Sequence, residues 1–266
     1  MKEFNIKKLT SQRLFLPIFC LALVLLVNVM TTPDFFAVSV RDGVLYGYII
    51  DIINRASELV ILAIGMTLVV SASAGTDISV GAIMAVSAAV CCNLLTGGER
   101  AATEYACPLI LGFLAALVIG ALIGCFNGVL VAKLKIQPMV ATLIMFTAGR
   151  GIAQLITDGQ ITYVRVESYK VLGSFLPHVP VPTPFIVAML MVIVTSLILK
   201  KTALGLYIQS VGINAKASRL VGIKSTMIVF LTYAFCGICS GLAGMIASSR
   251  IYSADANNIG LNMELD

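Results

Sequence analysis

Apolar residues run in long blocks along this chain, and polar or charged residues gather in the gaps between them. Seven blocks approach the roughly 20 residues that a helix needs to cross a hydrocarbon layer. They are Leu14 to Met30, Leu59 to Ala74, Ile78 to Leu95, Pro108 to Ala132, Met139 to Thr157, Phe185 to Leu199 and Met227 to Ser248. Several are short, so buried or re-entrant pieces are expected among them, and Tyr46 to Asn54 is expected as a half-buried helix outside the count. The pattern predicts an all-α fold, a polytopic transmembrane helical bundle of about seven spans. No Ser/Pro-rich linker or long hydrophilic block divides it, so residues 1–266 read as a single membrane domain.

One gap departs from the others. Ser210 to Ile223, SVGINAKASRLVGI, is a polar, basic island between two long apolar blocks. Asn214 is a favourable N-cap and Gly222 a favourable C′ residue, so Ala215 to Val221 predicts two turns of helix, about 10 Å long. Ile213, Ala217, Leu220 and Val221 fall on one side of it, with Lys216 and Arg219 projecting elsewhere. Such an element suits docking of a second protein at the membrane surface.

Composition agrees with the block pattern. Of the 266 residues 59% are hydrophobic and 12% charged, with a mean hydropathy of +1.01, which excludes an ordinary soluble globule. The net charge of +5 is scattered between apolar blocks rather than gathered on a soluble face, so nucleic acid is not the expected partner. Membrane topology accounts for it better. With a cytoplasmic N-terminus, the inner segments hold eleven Lys/Arg (Lys2, Lys7, Lys8, Arg13, Lys133, Lys135, Lys200, Lys201, Lys216, Arg219, Lys224) against six on the other side (Arg41, Arg55, Arg100, Arg165, Lys170, Arg250). That asymmetry places the island in the cytoplasm. TTPDFF after the first block has no small-x-small cleavage signal, so that block is expected as a retained anchor. The final run, SRIYSADANNIGLNMELD, is polar and ends no fold, and the odd span count would leave Asp266 outside, so later spans are expected to be missing.

Small residues mark helix contacts. Gly112, Ala116, Gly120, Gly124, Gly128 and Ala132 recur every four residues and make a smooth ridge along the fourth span, which is expected to be central. Gly237, Gly241 and Gly244 do the same for the last span. All seven cysteines lie in or beside apolar blocks, and the C-x-x-C of Cys236 and Cys239 reads as one packed helix face rather than a redox or metal pair. Asn127 either bonds a neighbouring helix or faces a pathway, and Arg150, a charge inside the fifth span, is a pathway candidate beside snorkelling or an internal ion pair. Between the second and third spans, SASAGTDISVG breaks the helix at Gly75. Gly75, Asp77, Ser79 and Gly81 are expected in a re-entrant turn or pathway, with Asp77 capping the free N–H groups of the next helix or contacting substrate.

Chemistry of the enzymatic kind has no visible machinery. There is no G-x-x-x-x-G-K-[ST] loop, and the lone His178 has no partner set, so no catalytic residue and no metal site are expected. Energy must come from an ion gradient or a partner. A carrier needs several ionisable groups at mid-membrane, where only Asp77 and Arg150 are available.

Three stretches bear a family resemblance. MTLVVSASAGTDISVG (Met66 to Gly81), KLKIQPMVATLIMFTAGRGIA (Lys133 to Ala153) and the island itself resemble segments of the permease subunits of ABC importers for ribose, xylose and galactosides, whose relatives carry branched-chain amino acids. The resemblance covers about Ser57 to the end. It implies a coupling-helix loop over residues 203–224 that inserts into a cytoplasmic ABC ATPase through Gly212, Asn214, Ala217, Arg219, Leu220 and Gly222. Lys216 and Arg219 are then expected to make polar contacts, and Ile213 with Leu220 the apolar ones. Two departures stand out: Ala74-Gly75 replaces a Gly-Gly pair, and Ala215-Lys216 replaces residues that are commonly acidic. The family pattern continues past Glu264, Leu265 and Asp266 into further helices.

The expected function is a permease subunit in a bacterial inner membrane, translocating a monosaccharide delivered by an extracytoplasmic binding protein. A second permease subunit, homo- or heterodimeric, completes the path, membrane lipid surrounds it, and ATP and Mg are used by the partner ATPase rather than bound by this chain. The alternatives are an ion-coupled secondary carrier and a membrane scaffold or assembly protein.

Overall fold

The computed structural model describes residues 15–32, 34–41, 43–177 and 179–265, without the Arg41 side chain. The basic residues Lys2, Lys7, Lys8 and Arg13, together with His178 and Asp266, lie outside the described residues. The chain forms two compact units, up to residue 52 and from residue 53 onward.

In the first unit, helix α1 (Phe15–Thr31) follows the first apolar block and buries none of its residues. Strands β1 (Ser39–Arg41) and β2 (Val44–Tyr46) pair antiparallel, with Ser39 opposite Tyr46. Phe35 stacks on Tyr48 with ring centroids 6.1 Å apart.

Helix α2 (Tyr48–Ser73) starts there and runs through the second unit. Tyr46 to Asn54 is therefore not a separate helix. Nothing in the polar run Asn54-Arg55-Ala56-Ser57-Glu58 stops the ladder: the Ser57 hydroxyl bonds back to the Ile53 carbonyl at 2.7 Å, and Glu58 meets Arg250 at 2.8 Å. The remaining blocks become α3 (Val80–Thr96), α4 (Leu109–Gly128) continued by a π-helical turn (Val129–Lys133), α5 (Pro138–Ile156), α6 (Thr183–Lys201) and α9 (Ser225–Ile251). Two short helices, α7 (Ala203–Ile213) and α8 (Ala215–Leu220), precede α9. Among the described residues, five helices are long and apolar enough to cross a membrane, namely Tyr48–Ser73, Leu109–Lys133, Pro138–Ile156, Thr183–Lys201 and Ser225–Ile251. The protein is a polytopic helical membrane protein.

The helix at the centre is α3, not α4. Fourteen of its 17 residues are buried, including Ile83, Met84, Val86 and both Cys91 and Cys92. A helix apolar on every side is the one enclosed by others. The glycine ridge of α4 instead makes one close seam with α9, while the opposite face of α4 leaves Ile110, Leu114, Val118 and Leu122 exposed. A Cβ on Gly124 would lie 3.0 Å from Gly237 Cα, and one on Gly237 2.8 Å from Gly124 Cα. Only glycine lets these backbones approach so closely. Cys236 and Cys239 of α9 pack on Gly65 of α2, as the packed-face reading of C-x-x-C expects.

Short strands β3 (Ala101–Ala102), β4 (Thr162–Val164) and β5 (Ser253–Ala254) form a small sheet in the order β3-β4-β5 at one end of the second unit. Beside it a 3-10 turn (Glu167–Leu172) drives Tyr169 into the bundle, where its hydroxyl lies 2.7 Å from Ser248 Oγ and 3.3 Å from Cys92 Sγ. Burial pushes the Tyr169 phenol well above the usual tyrosine range.

Candidate functional site: an outward helix and a buried turn

Two groups of candidate residues come together locally and stay distinct. The first is the island. Thr202 caps α7 by accepting from the Leu204 N–H at 3.3 Å, and α7 buries Ile208 and Val211 in a cluster with Leu68, Ala72 and Ile228. Gly212 lies against the Ser71 backbone of α2, so α7 is fixed before the chain turns. Asn214 then accepts from the N–H groups of Lys216 and Ala217, both at 3.0 Å. This is an N-cap that satisfies two otherwise orphaned donors.

At the other end of α8, Gly222 adopts φ +89 and the Ile223 N–H reaches back to the Ser218 carbonyl at 3.0 Å. Left-handed backbone at this position is where glycine ends a helix without steric cost. Ser218 is the buried residue of α8, and the Ser225 hydroxyl donates to the Ala215 carbonyl at 2.9 Å, pinning α8 to α9. The opposite side is bare. Ile213 is 87% exposed, Leu220 90% and Val221 76%. Lys216 and Arg219 are exposed as well, and Arg219 donates to Thr226 Oγ1 at 3.3 Å.

The second group is the turn between α2 and α3. Asp77 Oδ1 accepts from the Ser79 N–H at 2.9 Å and from the Ser79 hydroxyl at 2.6 Å. Ser79 Oγ in turn accepts from the Asn127 amide at 2.8 Å, and Thr142 Oγ1 accepts from the Ile78 N–H at 3.1 Å. Asp77, Ser79, Asn127 and Thr142 are completely buried. Three separate elements, α3, α4 and α5, are thus joined through one turn. Asp77 Oδ2 and Asn127 Oδ1 have no hydrogen-bond partner among the described residues. Ala74 sits at φ +54, a left-handed conformation that costs a residue with a Cβ about 1 kcal/mol. Gly75 abuts the Pro138 ring, and Gly81 abuts the Gly260 backbone and Glu264.

Arg150 belongs to neither group. Its guanidinium donates to the carbonyls of Ala256 at 3.0 Å and Ile259 at 2.6 Å, while Gln154 bonds Asn257 at 2.7 Å. The charge inside the fifth span therefore clamps the segment that follows β5. A buried pair that the sequence reading did not single out is Glu58 with Arg250, whose guanidinium also bonds the Asn54 carbonyl at 3.0 Å. One acid within an apolar stretch was its signal.

The sequence matches the family described as branched-chain amino acid transport system / permease component over residues 48–266. The chain belongs to this family. A galactofuranose transporter permease protein of Escherichia coli (strain K12) is 47% identical to the permease over 250 residues, covering 92% of this chain and 69% of that relative. A fructose import permease protein of Bifidobacterium longum (strain NCC 2705) is 37% identical, over 98% of this chain and 72% of its own. A ribose import permease protein of Haemophilus influenzae (strain ATCC 51907 / DSM 11121 / KW20 / Rd) is 34% identical, over 97% and 74%. No solved structure matches the permease. It is a membrane-spanning permease subunit of an ATP-binding-cassette importer.

Proposed function

We propose that this permease translocates a monosaccharide handed over by an extracytoplasmic binding protein, together with a second permease subunit. Cytoplasmic ABC ATPases drive it through α8, and ATP with Mg is used there rather than by this chain. The N-terminus and α8 lie in the cytoplasm of a bacterial inner membrane, as the excess of Lys and Arg on that side favours. The observation that carries the reading is the outward apolar side of a helix that is capped at both ends and pinned to α9. Apolar side chains held rigidly in water make an interface for another protein. Ile213 and Leu220 supply the apolar contacts, Lys216 and Arg219 the polar ones, while Gly212, Asn214, Ala217 and Gly222 set the shape of the loop. The sugar class rests on the relatives, whose names specify galactofuranose, fructose and ribose transport.

Within the membrane, Asp77 and Ser79 with Asn127 hold the turn between Gly75 and Gly81 as one piece. Movement of α8 relative to α2, carried through Gly212 at Ser71, reaches that turn directly.

Co-purification tests the reading. The permease is expected to bring down a nucleotide-binding subunit, and Arg219→Glu or Leu220→Asp to abolish this while the protein stays folded. Uptake by this polypeptide alone, driven by a proton or sodium gradient and indifferent to ATP, would sink it.

A further inference from the structure

A cavity of about 760 Å³ opens between the π-helical end of α4 and the junction of α8 with α9. Its two halves differ in chemistry. Val129, Met227 and Phe230 supply apolar lining from two helices long and apolar enough to cross a membrane, and Val129 and Met227 are exposed. Lys133, Arg219 and Lys224 also line it, with Ser225 and Thr226.

None of these three cations has a carboxylate partner among the described residues. The chain has no Asp or Glu between 105 and 157 or between 168 and 254. Every element around the cavity comes from those two stretches. Three positively charged side chains thus line one cavity at the ends of apolar helices, with no carboxylate among its lining residues.

We infer that this cavity is a binding site for an anionic phospholipid, its phosphodiester headgroup on Lys133 and Lys224 and its acyl chains along Val129, Met227 and Phe230. A lipid satisfies both halves at once. Free phosphate would leave the apolar lining wet, and an acidic protein segment would have to desolvate carboxylates against it. Basic pockets between membrane helices at the cytoplasmic surface select anionic headgroups by the same balance.

The test is lipid retention by the purified, full chain, measured by native mass spectrometry after titration with phosphatidylglycerol or phosphatidylcholine of identical acyl composition. The wild type is expected to retain phosphatidylglycerol about tenfold better, and Lys133→Gln with Lys224→Gln to cut that preference to about threefold or less. Lys133→Arg with Lys224→Arg restores it, which separates loss of charge from loss of fold. Lys170→Gln, in the 3-10 turn remote from this cavity, leaves it unchanged. Equal retention of the two lipids overturns the proposal, as does a double Gln variant with undiminished preference. Displacement of the lipid by inorganic phosphate would make this a free-phosphate site and also overturn it. Loss of ATPase association in the double Gln variant with unchanged lipid preference would assign these lysines to a protein contact instead.

Discussion

The α4–α9 seam and the α8 surface are both built from residues chosen for shape, yet they solve opposite problems. Along the seam, Gly120, Gly124 and Gly237 remove side chains so that two backbones meet, and everything there is buried. At α8 and its two ends, Leu220, Ile213 and Val221 leave large side chains exposed, and the backbone is fixed by caps instead of by packing. In lipid no hydrophobic drive brings helices together, so smoothness supplies the contact. Outside the lipid that drive returns, and an exposed apolar face signals a contact still to be made. The first region should carry stability and the second association.

Filling the seam should give the largest loss of stability. Gly237→Val places side-chain atoms against the backbone of Gly120 and Gly124, which cannot rotate away. The expected cost is at or beyond the upper end of the usual overpacking range, about 3 kcal/mol. Thermal unfolding in detergent should show a strongly lowered Tm and poor recovery of folded protein. A variant as stable as wild type would show that α4 and α9 do not meet as described.

A middle effect is expected at Tyr169, which is buried as thoroughly as the seam but through a polar contact. Tyr169→Phe removes its hydroxyl from Ser248 and should cost about 1–2 kcal/mol. The variant also has a pH signature. Burial raises the Tyr169 pKa in the folded protein, so its contribution is fully present below the ordinary tyrosine pKa of about 10. Above that pH the unfolded chain ionises first and stability falls. Unfolding followed from pH 9 to 11 should show a shallower decline for Tyr169→Phe than for wild type.

How far these features were legible follows from which signals are local. Asn214 and Gly222 bounded α8 to within a residue, because caps act on the backbone beside them. The glycine period gave the seam, because four-residue spacing puts small residues on one helix face. Centrality was misjudged for the same reason: a smooth ridge marks one face, whereas α3 spreads Ala, Ser and Cys around its whole circumference. Helix α7 was read as loop, since 11 residues are too few to span and Lys200 and Lys201 flank them. The Arg150 clamp and the Glu58–Arg250 pair join residues far apart in sequence, where no period or spacing points from one to the other. The linkage of Asp77 and Asn127 through Ser79 had the same obstacle; Asp77 was read as capping α3, whereas Ser79 is the N-cap without a side-chain cap bond and the Asp77 carboxylate reaches the Ser79 N–H.

A smaller loss should follow from uncapping α8. Asn214→Ala removes the acceptor for Lys216 and Ala217 N–H, about 1 kcal/mol confined to one short helix. Hydrogen exchange should speed at residues 215–220 while the amides of α3 keep their protection. Equal acceleration in both would mean that α8 is part of the cooperative core and the contrast between the two regions fails.

The smallest change in stability belongs to Leu220, although it is the largest exposed apolar side chain on α8. It is 90% exposed, so replacing it by Ser removes almost no burial, and the shift in unfolding free energy should stay within about 0.5 kcal/mol. The same substitution should weaken association with the ATPase, since a docked apolar anchor contributes only in the complex. Measuring both on one preparation sets the two regions against each other: Gly237→Val should fail in unfolding, Leu220→Ser in pull-down. A Leu220→Ser protein that unfolds early but still binds its partner would place this side chain in the fold and remove the basis for reading α8 as a docking surface.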